Sequence, residues 1–177
     1  MGTRLIGIGI TLLAGAGITA VVAGTGSFDD NTERNDNGEI IDGGGLGAFR
    51  VEIGDCINLP DEAAIGTDPT AEATEVVSVE GVPCDESHDA QAYAKFDITD
   101  LTVYSEWAAG RRADEGCVDR WTAAIGTNFW QDQELTIYTL FPSDESWRLL
   151  FDRNVTCFLT AIDGTPLVGS RLVADRG

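Results

Sequence analysis

The stretch SEWAAGRRADEGCVDRWTAAIG, residues 105–126, decides the fold class of this chain. Ser105 can cap a first helical turn, Glu106 suits the positive end of the helix dipole, and Gly126 can end the helix in a left-handed conformation. Apolar residues recur near one face of the predicted helix: Trp107, Ala113, Cys117, Trp121 and Ile125. We therefore predict one principal helix that packs this face on a sheet.

Short β-branched and aromatic runs lie on both sides of the helix, separated by polar turns. The runs predicted as strands are 50–58, 75–82, 90–98, 134–141, 147–152, 155–162 and 167–173. Strands, one helix and then strands joined by tight turns predict an α+β domain with an antiparallel sheet.

The amino-terminal residues 5–28, LIGIGITLLAGAGITAVVAGTGSF, contain no charged residue. About 20 apolar residues are enough to cross a bilayer as a helix, so we predict a transmembrane anchor at 1–28. Arg4 precedes the segment and acids follow it, which places the carboxyl-terminal domain outside the cell membrane in a single-pass protein. The alternative is a signal segment cleaved after Ala23, which would give a secreted protein.

Residues 29–48 follow, rich in Gly, Asn and acidic side chains. We predict a flexible acidic tether there, because polar Gly-rich sequence offers little apolar burial to offset the entropy of ordering. The folded extracytoplasmic domain is predicted over 49–177.

The charge of the chain excludes several classes of partner. The 177 residues include 30 Asp plus Glu against 11 Lys plus Arg, for a formal net charge of -19. Arg4 is the only basic residue before Phe28, so the acidity belongs to the part beyond the apolar segment. No basic patch is visible, and we expect no nucleic-acid binding.

Four cysteines, Cys56, Cys84, Cys117 and Cys157, lie beyond the apolar segment. An even number in an oxidising compartment predicts two disulfides, for which three pairings are possible. We favour Cys56 with Cys84, which joins consecutive strands, and Cys117 with Cys157, which joins the helix to a late strand. A zinc site made by Cys84, His88, Cys117 and Cys157 is the alternative. We expect no metal and no cofactor.

His88, the single histidine, lies in the acidic turn PCDESHD next to Asp89. We expect a hydrogen-bonded structural turn whose acids stabilise a protonated imidazole. His88 is also a candidate binding residue, and with nearby carboxylates it is the basis of an alternative function as an envelope hydrolase. No GxSxG elbow or phosphate-binding loop accompanies it, so we predict no enzyme and no catalytic residue.

The four tryptophans are expected to be mostly core residues. Trp130, in the polar stretch 127–134, is the best candidate for an exposed side chain that binds a peptide or a glycan.

The order of short motifs along the chain resembles the septum-formation domain family of bacterial envelope proteins. The motifs are GDC at 54–56, VPCDESHD at 82–89, the helical Cys117, PSDESW at 142–147, DRNVTC at 152–157 and GSR at 169–171. One departure is Phe151, where the family pattern usually has Gly before Asp-Arg. Asp55, His88, Asp89, Trp147, Asp152 and Arg153 are the candidate structural residues of these motifs.

The resemblance implies a membrane-anchored or secreted module linked to septum formation and cell division, with no established catalytic activity. We expect a binding or scaffold module whose partner is an envelope or division protein or a wall polymer. At the Asp152–Arg153 corner, Arg153 is expected to pair with a turn carboxylate.

Overall fold

The computed structural model describes residues 10–13, 17–22, 30–60 and 75–175. It confirms an α+β fold with an antiparallel sheet, one main helix and two disulfides. The strands of the described residues are β1 Ile10–Leu13, β2 Gly17–Val22, β3 Glu33–Arg34, β4 Ile40–Asp42, β5 Gly44–Gly47, β6 Cys56–Asn58, β7 Glu75–Val76, β8 Ser78–Val82, β9 Ser87–His88, β10 Ala90–Asp97, β11 Leu135–Pro142, β12 Asn154–Ala161 and β13 Leu167–Val168. The helices are α1 Glu106–Ile125 and α2 Asp144–Leu149.

The main sheet runs in the order β1-β2-β11-β12-β10-β6-β8-β5, and β7 pairs with β2. Strands β11, β12, β10, β6, β8 and β5 pair antiparallel, whereas β2 pairs parallel with β11 and with β7. Strand β7 pairs with β2 near one side of the sheet, and β8 lies near the other side. One residue separates β7 from β8, so the sheet must curve to bring these two sides together. The enclosed face carries one core, whose members include Tyr138, Leu140 and Phe158.

Helix α1 covers the other face of the sheet. The Ser105 hydroxyl accepts a hydrogen bond from the Ala108 backbone amide at 3.5 Å, and Gly126 has a φ of 85°. The second core lies beneath the helix and includes Cys117, Trp121 and Ile125. Trp107 differs from the prediction, because 60% of it is exposed. It lies in the first turn of α1, where the Arg111 guanidinium lies 5.2 Å from the centre of its ring.

The structure differs from the predicted transmembrane helix where it describes that segment. Residues 10–13 and 17–22 are strands, and the remainder of 1–28 lies outside the described residues. Among the described residues, no helix combines the length and apolar character needed to cross a membrane. The membrane anchor therefore stays a prediction.

The segment predicted as a flexible tether, 29–48, is part of the fold from residue 30 onward. Strand β5 pairs with β8, and Ile40 and Leu46 are buried in the core. Its glycines permit close packing: a Cβ on Gly44 would lie 2.5 Å from Asn31 Oδ1. Glycine here allows two backbone segments to approach closely. The sequence interpretation took the same glycines as a sign of flexibility.

Residues 147–152, predicted as a strand, instead span the end of α2 and the turn that follows it. The Ser143 hydroxyl accepts from the Ser146 amide and the Ser146 hydroxyl accepts from the Ser143 amide, both at 3.0 Å. This reciprocal capping starts a helix at Asp144, a signal that outweighs the strand propensity of Trp147. The last predicted strand is also shorter, with β13 limited to Leu167–Val168.

The two disulfides confirm the predicted pairing, Cys56 with Cys84 and Cys117 with Cys157. With all four thiols oxidised, the zinc site proposed as the alternative has no thiolate ligands. Sequence separations of 28 and 40 residues correspond to about 3.5 to 4 kcal/mol of stabilisation per bridge in the chain-entropy model. The first bridge joins β6 to the turn before β9, and the second fastens α1 to the central strand β12.

Candidate functional site

Asp55, in the turn before β6, is the centre of a group of polar contacts that we call the Asp55 corner. Its side chain is 3% exposed, and both carboxylate oxygens accept from the Arg34 guanidinium, at 2.6 and 2.8 Å. The Glu52 amide donates to the same carboxylate at 2.7 Å. This forked, partly buried pair ties the β3–β4 segment to the domain, because a guanidinium matches a carboxylate at both oxygens.

Three of the short sequence motifs converge beside this corner through the buried side chain of Gln91. Its amide nitrogen donates to the Gly54 carbonyl at 3.2 Å and to the Ser170 hydroxyl at 2.8 Å. Its amide oxygen accepts from the Arg171 backbone at 2.8 Å. The GDC turn, the Cys84 turn and the GSR segment thus form one unit, which the Cys56–Cys84 bridge locks.

An open cleft of about 910 Å³ lies against this unit. One wall is the β3–β4 segment, and the other is formed by the GDC turn and the residues around Cys84. Ile41 and Ile53 are each 56% exposed at the cleft, while the Arg34–Asp55 pair lies within it. The cleft combines concavity, apolar contact surface and charge, which are the features of a binding site.

His88 does not face solvent, since its exposed fraction is zero. Its Nδ1 lies 2.9 Å from the Glu86 carbonyl, so Nδ1 carries the hydrogen and donates. Burial lowers the pKa of His88, which disfavours the protonated imidazole that the sequence suggested. Its Nε2 has no hydrogen-bond partner within the described residues.

Asp89 has a structural position between strands. Its carboxylate accepts from the Leu59 amide at 2.9 Å, and its backbone carbonyl accepts from the Thr160 hydroxyl at 2.9 Å. Both contacts hold β6 and β12 beside β10. His88 and Asp89 therefore support the fold next to the cleft, and neither lines it.

The Asp152–Arg153 motif forms a second corner, near the opposite end of β10. Asp152 accepts from the Ser146 hydroxyl at 3.0 Å and from the Asn154 amide at 2.9 Å, and burial raises its pKa. Among the described residues, no carboxylate forms the ion pair that was expected for Arg153. Its guanidinium stacks 3.5 Å from the centre of the buried Trp147 ring and donates to the Trp147 carbonyl at 3.0 Å. A cation–π contact replaces the predicted ion pair.

Trp130 is exposed at 69%, as its polar surroundings predicted. Its ring lies 5.0 Å from that of Phe129, which in turn contacts Trp121 at 5.3 Å. The exposed indole is therefore backed by an aromatic chain that leads into the core. Neither Trp130 nor His88, the two candidate binding residues of the sequence, lines the cleft.

The sequence interpretation missed the cleft because it assigned one wall to a tether. The apolar residues Ile40, Ile41 and Leu46 inside that acidic stretch were the available signal. Their alternation between buried and exposed positions, with Ile40 buried and Ile41 exposed, is typical of strands.

Searches against models of protein families, curated proteins and solved structures found no match to this chain.

Proposed function

We propose that the chain is a binding or scaffold module of the bacterial cell envelope, held outside the cell membrane by its amino-terminal segment. The observation that carries the proposal is the cleft of about 910 Å³ beside the Cys56–Cys84 bridge. Its floor is rigid, because a disulfide, the Arg34–Asp55 pair and the Gln91 contacts all fix the same turn. A preformed site loses less conformational entropy when a ligand binds.

Anchoring is supported by the uncharged stretch 5–28 and by the oxidised cysteines beyond it. Residues 17–22 cannot pair with β11 and span a bilayer at the same time. We assign the paired form to the chain outside lipid, where an apolar strand leaves water by adding to a sheet. In a bilayer the same backbone would satisfy its hydrogen bonds as a helix. Cleavage of this segment would give the secreted alternative.

A hydrolase that uses His88 receives less support. A general base must reach the proton that it removes, and His88 is fully buried with Nδ1 already engaged by a backbone carbonyl. A binding role for the cleft, which residues around Cys84 line, does not require access to the imidazole.

The link to septum formation rests on the motif resemblance over residues 51–171. Convergence of the GDC, VPC and GSR motifs in one place supports treating them as a single structural unit. We therefore propose a division protein or another envelope component as the partner.

Photo-crosslinking in living cells tests this function. A photoreactive amino acid replaces Ile53 in the cleft of the full-length chain, and a matched variant carries it at Val103. Val103 is 78% exposed and follows the far end of β10, which makes it an exposed apolar control outside the cleft.

We expect crosslinks from position 53 to a division protein or a wall component, identified by mass spectrometry, and few from position 103. Equal labelling of the two positions, or recovery of no envelope component from position 53, would contradict the proposal.

A further inference from the structure

Acidic side chains dominate the cleft. The charged residues that line it are Arg34, Glu39, Glu52, Asp55, Asp85 and Glu86. Arg34 is engaged by Asp55, and the Lys95 ammonium lies 3.8 Å from the Glu52 carboxylate, so these charges are already offset. The other carboxylates leave the cleft with an excess of negative charge, and low-dielectric walls strengthen the field of such an excess inside a concave surface.

The same cleft presents aliphatic surface between its acids. Ile41 projects from the β4 side and Ile53 from the GDC turn, and both are more than half exposed. Pro83 continues this surface toward Cys84. Aliphatic surface next to carboxylates suits a long cationic side chain, whose methylene stem packs while its charged head reaches the acids.

The chain itself already places one guanidinium in this cleft. Arg34 arrives from a separate segment, donates to both oxygens of Asp55 and also donates to the Gly38 carbonyl at 2.7 Å. The surroundings therefore accept an arginine in a defined geometry. The cleft beside this pair is open enough to admit more side chains of the same kind.

Two other ligand classes fit less well. Within the described residues, no group of three or more His, Cys, Asp or Glu side chains is arranged to hold a metal ion. A neutral glycan would leave the exposed carboxylates without a counter-charge.

Given the binding function proposed above, on which this inference rests, we infer that the cleft binds lysine or arginine side chains of an apolar peptide segment in a partner protein. Asp85 and Glu86, in the turn that follows Cys84, supply charge to the cationic head. Ile41 and Ile53 contact the aliphatic stem and the apolar neighbours of the peptide.

Fluorescence anisotropy of a labelled peptide tests the inference on the full-length chain in nonionic detergent. The probe is the pentapeptide Leu-Arg-Leu-Arg-Leu, and its control replaces both arginines by citrulline, which keeps the shape and removes the charge. We expect the citrulline peptide to bind at least about tenfold more weakly. The affinity of the arginine peptide should also fall as salt is raised.

A double variant, Asp85→Asn with Glu86→Gln, should weaken binding of the arginine peptide by about tenfold. Its matched control, Asp119→Asn with Glu134→Gln, removes the same charge from exposed positions outside the cleft and should change binding less than about twofold. Folding of each variant is checked by the intact disulfides and by circular dichroism.

Equal affinity for the two peptides, no binding of either peptide, or an equal loss in both double variants would overturn the inference. The crosslinking result at Ile53 separates this failure from failure of the binding function. Crosslinks to an envelope component without a preference for arginine would leave a binding module whose ligand is not cationic.

Discussion

The Thr139 hydroxyl donates to Asp114 Oδ1 at 3.3 Å, across the contact between β11 and α1. The other oxygen of Asp114 has no hydrogen-bond partner within the described residues, and the side chain is buried. Burial raises the pKa of Asp114 to about 7, against the opposing effect of the Thr139 hydrogen bond. One carboxyl group thus lies in the core with a hydrogen bond to only one of its two oxygens.

This carboxyl predicts a pH dependence of stability. Between about pH 4 and 7 the folded chain keeps a proton on Asp114 that the unfolded chain releases, so stability falls as pH rises through this window and levels off above it. A pKa difference of about three units sets an upper bound of about 4 kcal/mol. Urea unfolding of the parent and of Asp114→Asn from pH 4 to pH 8 measures the effect.

The Asn variant should lose this slope and be the more stable protein at pH 8. Comparison between the two proteins cancels the contributions of His88 and Asp152, which they share. Parallel stability curves for parent and variant would show that Asp114 does not hold its proton.

Loss of Arg34 should loosen the β3–β4 segment. Arg34→Ala leaves the buried Asp55 without its charged partner, and we expect a loss of about 3 kcal/mol with faster hydrogen exchange over residues 33–42. Arg50→Ala is the control, since Arg50 is 71% exposed in its side chain and lies 3.6 Å from Asp30. It should change stability by less than about 1 kcal/mol. Similar exchange in both variants would show that the fork does not hold the segment.

Gly116→Ala should destabilise the protein although alanine favours helices by about 1 kcal/mol. A Cβ at this position would collide with the Phe96 ring. The Arg120 guanidinium also contacts this ring, 4.1 Å from the ring centre, and so limits how far the ring can move away. We expect a net loss of about 1 to 3 kcal/mol in urea unfolding. Adding Phe96→Leu should recover part of it; a stabilised single variant would contradict the collision.

Phe151→Gly should stabilise the protein by about 0.5 to 1 kcal/mol. Phe151 has a φ of 55° and is 78% exposed, so it bears the strain of a left-handed backbone with little burial in return. Phe151→Ala keeps the Cβ and the strain and serves as the control. Equal urea midpoints for the Gly and Ala variants would show that the backbone is relaxed there.

Local signals predicted most of the secondary structure. Helix α1 begins after Ser105 and ends before Gly126, as its caps indicated. Both disulfides pair as the order of elements suggested. These features depend on residues close in sequence or on simple adjacency of elements.

Long-range geometry accounts for what the sequence did not reveal. The role of Gln91 depends on Ser170 and Arg171, which lie 79 and 80 residues away in sequence. The run of glycines at 43–45 reads the same in the sequence whether it belongs to a linker or to a strand that pairs with Gly81. Trp147 has strand propensity, and only the reciprocal caps of Ser143 and Ser146 decide for helix.

The position of β12 between β10 and β11 constrains how the chain matures. Synthesis proceeds from the amino terminus, yet the strand that joins the two flanking strands is among the last to emerge. Cys56 and Cys84 can meet early, whereas Cys117 must wait as a free thiol until Cys157 follows it. During that interval the Cys117 thiolate can attack the Cys56–Cys84 bridge by disulfide exchange, so the order in which the thiols emerge bears on which pairing forms first.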